Sequence, residues 1–275
     1  MRKKLLLLLA LFLCSAVSGW AWWRPAQRFE VSELALGELR LVTWNVGYFA
    51  PVNNKNAKDL DMERIAAVLQ PLQAQVVVLQ ELNSVQQAEE IARKLGSDWY
   101  AKTVETGHDQ ILAVLSSLSG AEMETRTAGG RSMIGVCFQG EDDRDVFILG
   151  VHSPHPARGM DATVDNIKAA VSWMCERNEA IRIMAGDLNY NFDPDLTVDG
   201  DVLYGEVMSV LSDGTISIGE TYYAHTRIDH VFHHPQAMKV MEQSSGMVDL
   251  APRFAKVPGW RDHRPVVTTY DVGEL

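Results

Sequence analysis

The sequence predicts an α/β domain of two packed sheets with helices outside, and three observations predict it. From residue 38 onward, short apolar runs of strand length alternate with amphipathic helical patterns. One run, QVVVLQE at 75–81, is apolar almost throughout, as in a strand covered on both faces. No repeat, low-complexity tract or strong break divides residues 38–275. The 275 residues suffice for a substantial core, and 47% hydrophobic with 22% charged residues excludes the disordered and fibrous classes.

ELRLVTWNVG (38–47) alternates as a strand, with Leu39, Leu41 and Thr43 on one side and Arg40, Val42 and Trp44 on the other. DMERIAAVL (61–69) sets Ile65, Val68 and Leu69 on one helical face, and QVVVLQE is the next strand. Ser84 then has the side chain of a helix cap; Val85, Ala88, Ile91, Ala92 and Leu95 follow at helical spacing, and Gly96 ends the run. DQILAVLSS (109–117), RSMIGVCFQ (131–139) and DVFILGVHS (145–153) are strands separated by Gly, Ser and acidic turns. A helix over 163–177 carries Val164, Ile167, Val171 and Met174. A strand at 181–185, then RIDHVFHH (227–234) and RPVVTTYDV (264–272), complete the domain, expected to span 38–275.

Ahead of it, Arg2, Lys3 and Lys4 precede an apolar run from Leu5 to Trp23. Residues 1–23 read either as a cleaved export signal or as an uncleaved membrane anchor through 5–23, with Trp20, Trp22 and Trp23 at the interface. Both place the rest of the chain outside the cytoplasm, periplasmic or secreted, with 24–37 as a linker. Loss of Arg2, Lys3 and Lys4 takes the net charge from −11 to −14, which works against a nonspecific grip on phosphate backbones. A bound divalent cation can reverse that locally. Beyond Cys14 in the leader, Cys137 and Cys175 are expected as independent buried thiols, without a metal-binding CxxC.

Strand ends present functional groups from a rigid scaffold. Asn45 follows LVTW, Glu81 follows VVVLQ, His152 follows FILGV, and Asp187 and Asn189 follow IRIMAG. Asp229 sits in RIDHVF, while Asp262 and His263 precede RPVV. Each alone is what an ordinary turn or surface pair also offers; the recurrence of carboxylates, amides and imidazoles in this order is the signal.

The set resembles the endonuclease/exonuclease/phosphatase superfamily over roughly residues 38–270. That group includes deoxyribonuclease I, abasic-site endonucleases, bacterial sphingomyelinases and inositol polyphosphate 5-phosphatases. The residues carrying the resemblance are Trp44-Asn45, Gln80-Glu81, His152-Ser153-Pro154, Gly186-Asp187-Leu188-Asn189, Arg227-Ile228-Asp229 and Asp262-His263 with Pro265-Val266. It implies a four-layer α/β sandwich, two packed mixed β-sheets flanked by helices as in deoxyribonuclease I. The chain departs from family patterns at Gly47, where the abasic-site branch commonly has an acid, and at Arg261, where serine often precedes Asp-His.

Phosphate esters resist attack because their oxygens are negative, so catalysis must offset charge, prepare a water and stabilise the leaving oxygen. Glu81 and Asn45, with Asp262, are the expected hard-oxygen ligands for Mg²⁺ or Mn²⁺. Asp187 is expected to orient or deprotonate the attacking water, with a histidine of the set as the alternative base. Asn189, aimed alongside Asp187 by the period of two of an extended strand end, would donate to a phosphate oxygen. His263, paired with Asp229, would contact the phosphate as an imidazolium. His152 resembles the second histidine of the deoxyribonuclease-like branch, donating to a phosphate oxygen or helping protonate the leaving group. Arg261, Arg158 and His108 are candidate substrate contacts.

The leading expectation is an exported, Mg²⁺-dependent phosphodiesterase, a nuclease before others, with nucleic acid as the anionic partner and no protein partner. The alternative is a phosphatase or phospholipase C-type hydrolase acting on lipid headgroups or inositol phosphates. A third is a binding protein that keeps the fold without catalysis.

Overall fold

The computed structural model describes residues 28–47, 57–107, 109–140, 144–192, 198–215, 218, 220–222, 226–235, 239–240, 245–248 and 263–273. Two mixed sheets pack face to face. The first contains β1 (Glu38–Asn45), β2 (Val76–Leu82), β3 (Tyr100–Gly107), β4 (Gln110–Ser116), β11 (Lys239–Val240) and β13 (Val266–Asp271) in the order β11-β13-β1-β2-β4-β3, with β12 (Gly246–Met247) also paired to β13. The second runs β5-β6-β7-β8-β10-β9, built from β5 (Glu122–Ala128), β6 (Arg131–Phe138), β7 (Val146–His152), β8 (Ile181–Asp187), β9 (Ser212–Asp213) and β10 (Asp229–His233). Helices α1 (Ala57–Leu69) and α2 (Val85–Leu95) cover the first sheet; α3 (Met160–Glu176) and α4 (Val198–Met208) cover the second.

Period-two alternation explains the layers. In β1, Leu39 and Leu41 face the second sheet and pack with Val76, Val78, Ile148 and Ile183, while Val42 and Trp44 face Ile65, Leu69 and Ile91 of the helices. β7 divides likewise: Val146 and Ile148 point between the sheets, Phe147 and Leu149 toward Trp173 and Ile167 of α3. Ser84 caps α2 by accepting from Gln87 N at 3.2 Å.

Arg40 is 1% exposed, although arginine seldom is. Its guanidinium is satisfied by Thr269 Oγ1 at 3.0 Å, Ser32 O at 3.0 Å and Leu72 O at 2.9 Å. Those bonds, with Phe29 N donating to Met247 O at 3.0 Å, fasten residues 28–36 to the domain, so this part of the expected linker is not a free spacer. Cys137 and Cys175 are both free, but Cys175 is exposed near the end of α3 and Cys137 only partly buried, contrary to the expected burial. Residues 5–23, read as signal or anchor, lie outside the described residues; within these, no helix is long and apolar enough to cross a membrane.

The topology brings the candidate residues to one end. β1–β2 and β7–β8 are the parallel pairs, and their C-termini are Asn45, Glu81-Leu82, His152 and Asp187. β10 and β13 run antiparallel to β8 and β1, so their N-termini, beside Asp229 and His263, arrive at the same end.

Gly186 fixes the β7–β8 spacing there. A Cβ at this position would lie 1.8 Å from Val151 O. Gly186→Ala must push the two strands apart where His152 pairs in register with Asp187. The expected loss is about 3 kcal/mol of stability, read as a lower urea midpoint, with activity impaired in what remains folded.

Candidate active site

Glu81 does not reach the site by simple alternation. Val77 and Leu79 face the helices, and continued alternation would bury Glu81 in that apolar layer. Instead the β2–β4 register shifts between Leu79 and Leu82, Glu81 adopts φ 61°, and Leu82 takes the helix-facing place. A left-handed glutamate costs on the order of 1 kcal/mol or more, and this one is directed to the polar end of the sandwich. Its side chain keeps 21% exposure.

Asp187, 1% exposed, is braced on both sides. Its Oδ2 accepts from Asn45 Nδ2 at 2.9 Å and Asn189 Nδ2 at 3.2 Å, and its Oδ1 accepts from Asn189 N at 2.8 Å. Burial pushes its carboxyl up to about 7; the His263 charge opposes this and the Asp229 charge adds to it. Asn189 reaches Asp187 by a route different from the expected one. β8 ends at Asp187, and Asn189 has φ 49°, so a tight turn and not strand periodicity brings the two side chains together. The second amide hydrogen of Asn189 goes to Ser153 O at 3.0 Å. Both hydrogens are then engaged, and Asn189 holds Asp187 instead of offering a free donor to phosphate.

Asn45 departs from its expected metal role in a similar way. Its Nδ2 bridges Asp187 and Glu81 Oε1, the latter at 3.2 Å, while its Oδ1 accepts from Gly47 N at 2.9 Å. The nitrogen, not the oxygen, faces Glu81. Asp262, the third expected ligand, and the expected substrate contacts Arg261 and His108 lie outside the described residues.

His263 pairs through Nδ1 with both oxygens of Asp229, at 3.0 and 2.9 Å, and its Nε2 lies 3.7 Å from Asp187 Oδ2. Burial alone would lower its pKa; the charges of Asp229, then Asp187, outweigh this and hold it near 9. Thr221 Oγ1 supports the pair by accepting from Asp229 N at 3.1 Å, and the Tyr222 ring lies 4.9 Å from the His263 ring. His152, 2% exposed, closes the other side, with Nε2 3.6 Å from Glu81 Oε1 and 3.7 Å from Asp187 Oδ2. Burial, then the Arg131 and His263 charges, hold it well below the usual histidine range. Arg158 is exposed at the rim, near enough for its charge to act on Arg131 and His152.

The ligand atoms of Asp187, Asp229 and His263 lie within 4.8 Å of one another, as a metal site would require. Within this trio His263 Nδ1 is committed to Asp229, and its Nε2 is what it presents toward Asp187, an arrangement suited to acid/base work. The hard-oxygen position with solvent access is Glu81. Three carboxylates, Glu81, Asp187 and Asp229, surround one imidazolium, a donor set that fits a divalent cation at Glu81.

Sequence reading missed Arg131 and Gln110. Arg131 is 5% exposed and donates to Gln110 Oε1 at 2.8 Å and Thr106 Oγ1 at 2.9 Å beside His152. Both open strands antiparallel to β7 and β2, so the signal was polar residues at strand beginnings as well as strand ends.

Further along β10, burial holds His233 near 4 against an ordinary 6.5 and also lowers His230. A neutral histidine in the fold binds protons more weakly than in the unfolded chain. Stability from this source is therefore complete above pH 6.5 and declines as pH falls toward about 4, by about 3 kcal/mol for His233 alone. Urea titrations across that window should show the decline, with a shallower slope in His233→Gln; an unchanged slope would dismiss His233 as a source.

The family model described as "Endonuclease/Exonuclease/phosphatase family" matches residues 42–248. Among solved structures, the endonuclease/exonuclease/phosphatase from Bacteroides vulgatus is 16% identical, with 86% of this chain and 99% of that chain covered and a TM-score of 0.68. TDP2 from D. rerio, complexed with a single strand DNA product, is 12% identical over 85% and 98% of the two chains, with a TM-score of 0.63. The mannosyl-6-phosphatase from Bacteroides thetaiotaomicron is 16% identical over 84% and 99%, with a TM-score of 0.59. No curated protein matches. At these identities the structural likeness speaks for the fold alone, and the family match adds the chemistry: the chain belongs to the endonuclease/exonuclease/phosphatase family, hydrolases of phosphate esters.

Proposed function

We propose that the protein is an exported, Mg²⁺-dependent phosphodiesterase with nucleic acid as its substrate class. The observation that carries the catalytic reading is the convergence of Glu81, Asp187, His152 and the His263–Asp229 pair at one end of the sandwich. Glu81 would hold the ion, in keeping with a family generally dependent on divalent metals. When bound, the ion offsets negative charge on a phosphoryl oxygen and on the leaving oxygen.

The chain's own groups do the rest. A carboxylate accepts at about four positions, and the two asparagines fill three of those on Asp187. The remaining Oδ1 position is available to a water, which Asp187 orients and deprotonates. A carboxyl near 7 suits a base at neutral pH. His263, with Nδ1–H held by Asp229, directs Nε2–H toward a phosphoryl oxygen and stabilises charge developing there.

A nucleic acid substrate is supported by the likeness to a TDP2 structure holding a DNA product and by the exposed Arg158 beside the site. The likeness to a mannosyl-6-phosphatase favours a second reading, a phosphomonoesterase or headgroup hydrolase, which the acidic net charge suits. Export rests on the Arg2-Lys3-Lys4 and Leu5–Trp23 pattern.

The deciding experiment compares plasmid DNA, RNA, sphingomyelin, inositol phosphates and bis(p-nitrophenyl) phosphate as substrates of the full chain, with Mg²⁺ and with chelator. Nuclease activity that falls steeply with salt is expected, because phosphate contacts release counterions. Headgroup or monoester release with DNA untouched selects the second reading, and turnover that persists in chelator removes the metal role of Glu81.

A further inference from the structure

We propose that Thr221 is a positioning residue that sets the His263–Asp229 pair by tying together the two chain segments, one from each sheet, that carry its members. The tie stands on geometry alone; its consequence for turnover rests on the phosphoesterase reading.

The pair spans the sandwich. Asp229 opens β10 in the second sheet, while His263 stands just ahead of β13 in the first. Their contact, at 3.0 and 2.9 Å, therefore depends on how the two sheets meet at this end. Among the described residues, β9 pairs with Phe232 and His233 and reaches no nearer the start of β10. Thr221, fully buried, takes the missing neighbour's place. Its Oγ1 accepts from Ile228 N at 3.2 Å and Asp229 N at 3.1 Å, which uses both lone pairs of the hydroxyl. Its carbonyl accepts from the N–H of Arg264, the residue after His263, at 3.0 Å, and Tyr222 bridges to His263 itself. One residue thus holds the backbone beside each member of the pair.

The rest of the segment is anchored separately. Arg227 donates its two Nη1 hydrogens to Asp213 Oδ2 at 2.8 Å and Thr215 O at 3.1 Å, and Ile228 O accepts from Leu188 N at 2.8 Å. The similarly shaped Thr221→Val keeps these anchors and the carbonyl bond, but leaves the amides of Ile228 and Asp229 without their acceptor. Asp229 is fully buried, and a buried N–H without a partner is costly, so the start of β10 must shift toward water or another oxygen. The Asp229 carboxylate moves with it and leaves the position from which it holds Nδ1–H of His263. A misplacement on the order of 1 Å at a catalytic group can cost about a hundredfold in rate.

Crystal structures of the wild type and Thr221→Val test the tie. In the variant the closer separation between His263 Nδ1 and the Asp229 carboxylate should open beyond about 3.6 Å, out of hydrogen-bond range. Thr221→Ser, which keeps the hydroxyl, should retain the wild-type separation. An unmoved pair in Thr221→Val overturns the proposal. If Thr221→Val does not fold, Thr221→Cys, whose sulfur accepts only weakly, replaces it in both tests.

Kinetics on bis(p-nitrophenyl) phosphate then test the consequence. Thr221→Val should lower kcat by about tenfold to a hundredfold with KM changed less than about threefold, and Thr221→Ser should stay within about threefold of wild type. In the His263→Ala background Thr221→Val should cost no more than about threefold, since the pair it positions is already broken. A wild-type kcat, a loss confined to KM, or an equal fractional loss in both backgrounds, as a smaller folded fraction would give, overturns the positioning role. A wild type without phosphodiesterase activity overturns the functional reading and its kinetic consequence, while the tie is judged by the crystal structures.

Discussion

Replacing Asp187 with asparagine is expected to lower kcat by about a thousandfold, the scale of a lost general base, with KM changed only a few-fold. Asparagine keeps the volume and an acceptor oxygen for the two bracing amides, but not a group that can take a proton from water. The fold should survive because two effects offset. One of the three hydrogen bonds is lost where an NH₂ meets the Asn189 N–H, while the cost of a buried charge disappears. Thermal melting of the same preparation should shift by only a few degrees. A variant that melts normally and still turns over near the wild-type rate would take Asp187 out of the reaction.

His263→Ala is expected to cost kcat about 10³-fold or more, since it removes the imidazolium that faces the developing charge. Asp229→Asn should come within tenfold of the same loss with the histidine still present, because the carboxylate is what holds Nδ1–H and favours the charged ring. Two residues acting as a unit are not additive. The double variant should therefore be no slower than His263→Ala by more than about threefold. A multiplicative loss, measured on bis(p-nitrophenyl) phosphate, would show that Asp229 contributes independently of His263.

These expectations begin from residues whose positions were readable in one dimension. β2, β4, β6, β7 and β8 each carry an apolar run, as strands buried on both faces do, while β1 was legible from its alternation and β10 and β13 from the short pairs Val231-Phe232 and Val266-Val267. β3 and β5 were not readable, for the opposite reason. EMETRTA in β5 is exposed almost throughout, a charged edge strand whose residues interact with solvent more than with a core. α4 was also missed, and α1 begins at Ala57, ahead of the expected 61, since neither limit is marked by a change of apolar period.

Within the site, residue types and order were legible, and so was the pairing of an aspartate with the last histidine as a resemblance. The orientations were not. Strict alternation would bury Glu81 beneath α2, and only the bulge with its left-handed φ turns it to the site. Period two placed Asn189 beside Asp187 for the wrong reason, and donor counting shows both asparagines spent on their neighbours. Arg131 gave no sign because its place beside His152, bonded to Thr106 and Gln110, depends on β6 running antiparallel to β7.

The amino-acid sequence by itself determined the layered α/β sandwich and the chemical inventory at its strand ends, since periodicity and residue type are local properties. Only the tertiary structure decided which atom of each side chain faces which partner. Hydrogen-bond direction and charge balance are set by groups far apart along the chain, and they exist only once the two sheets have closed on each other.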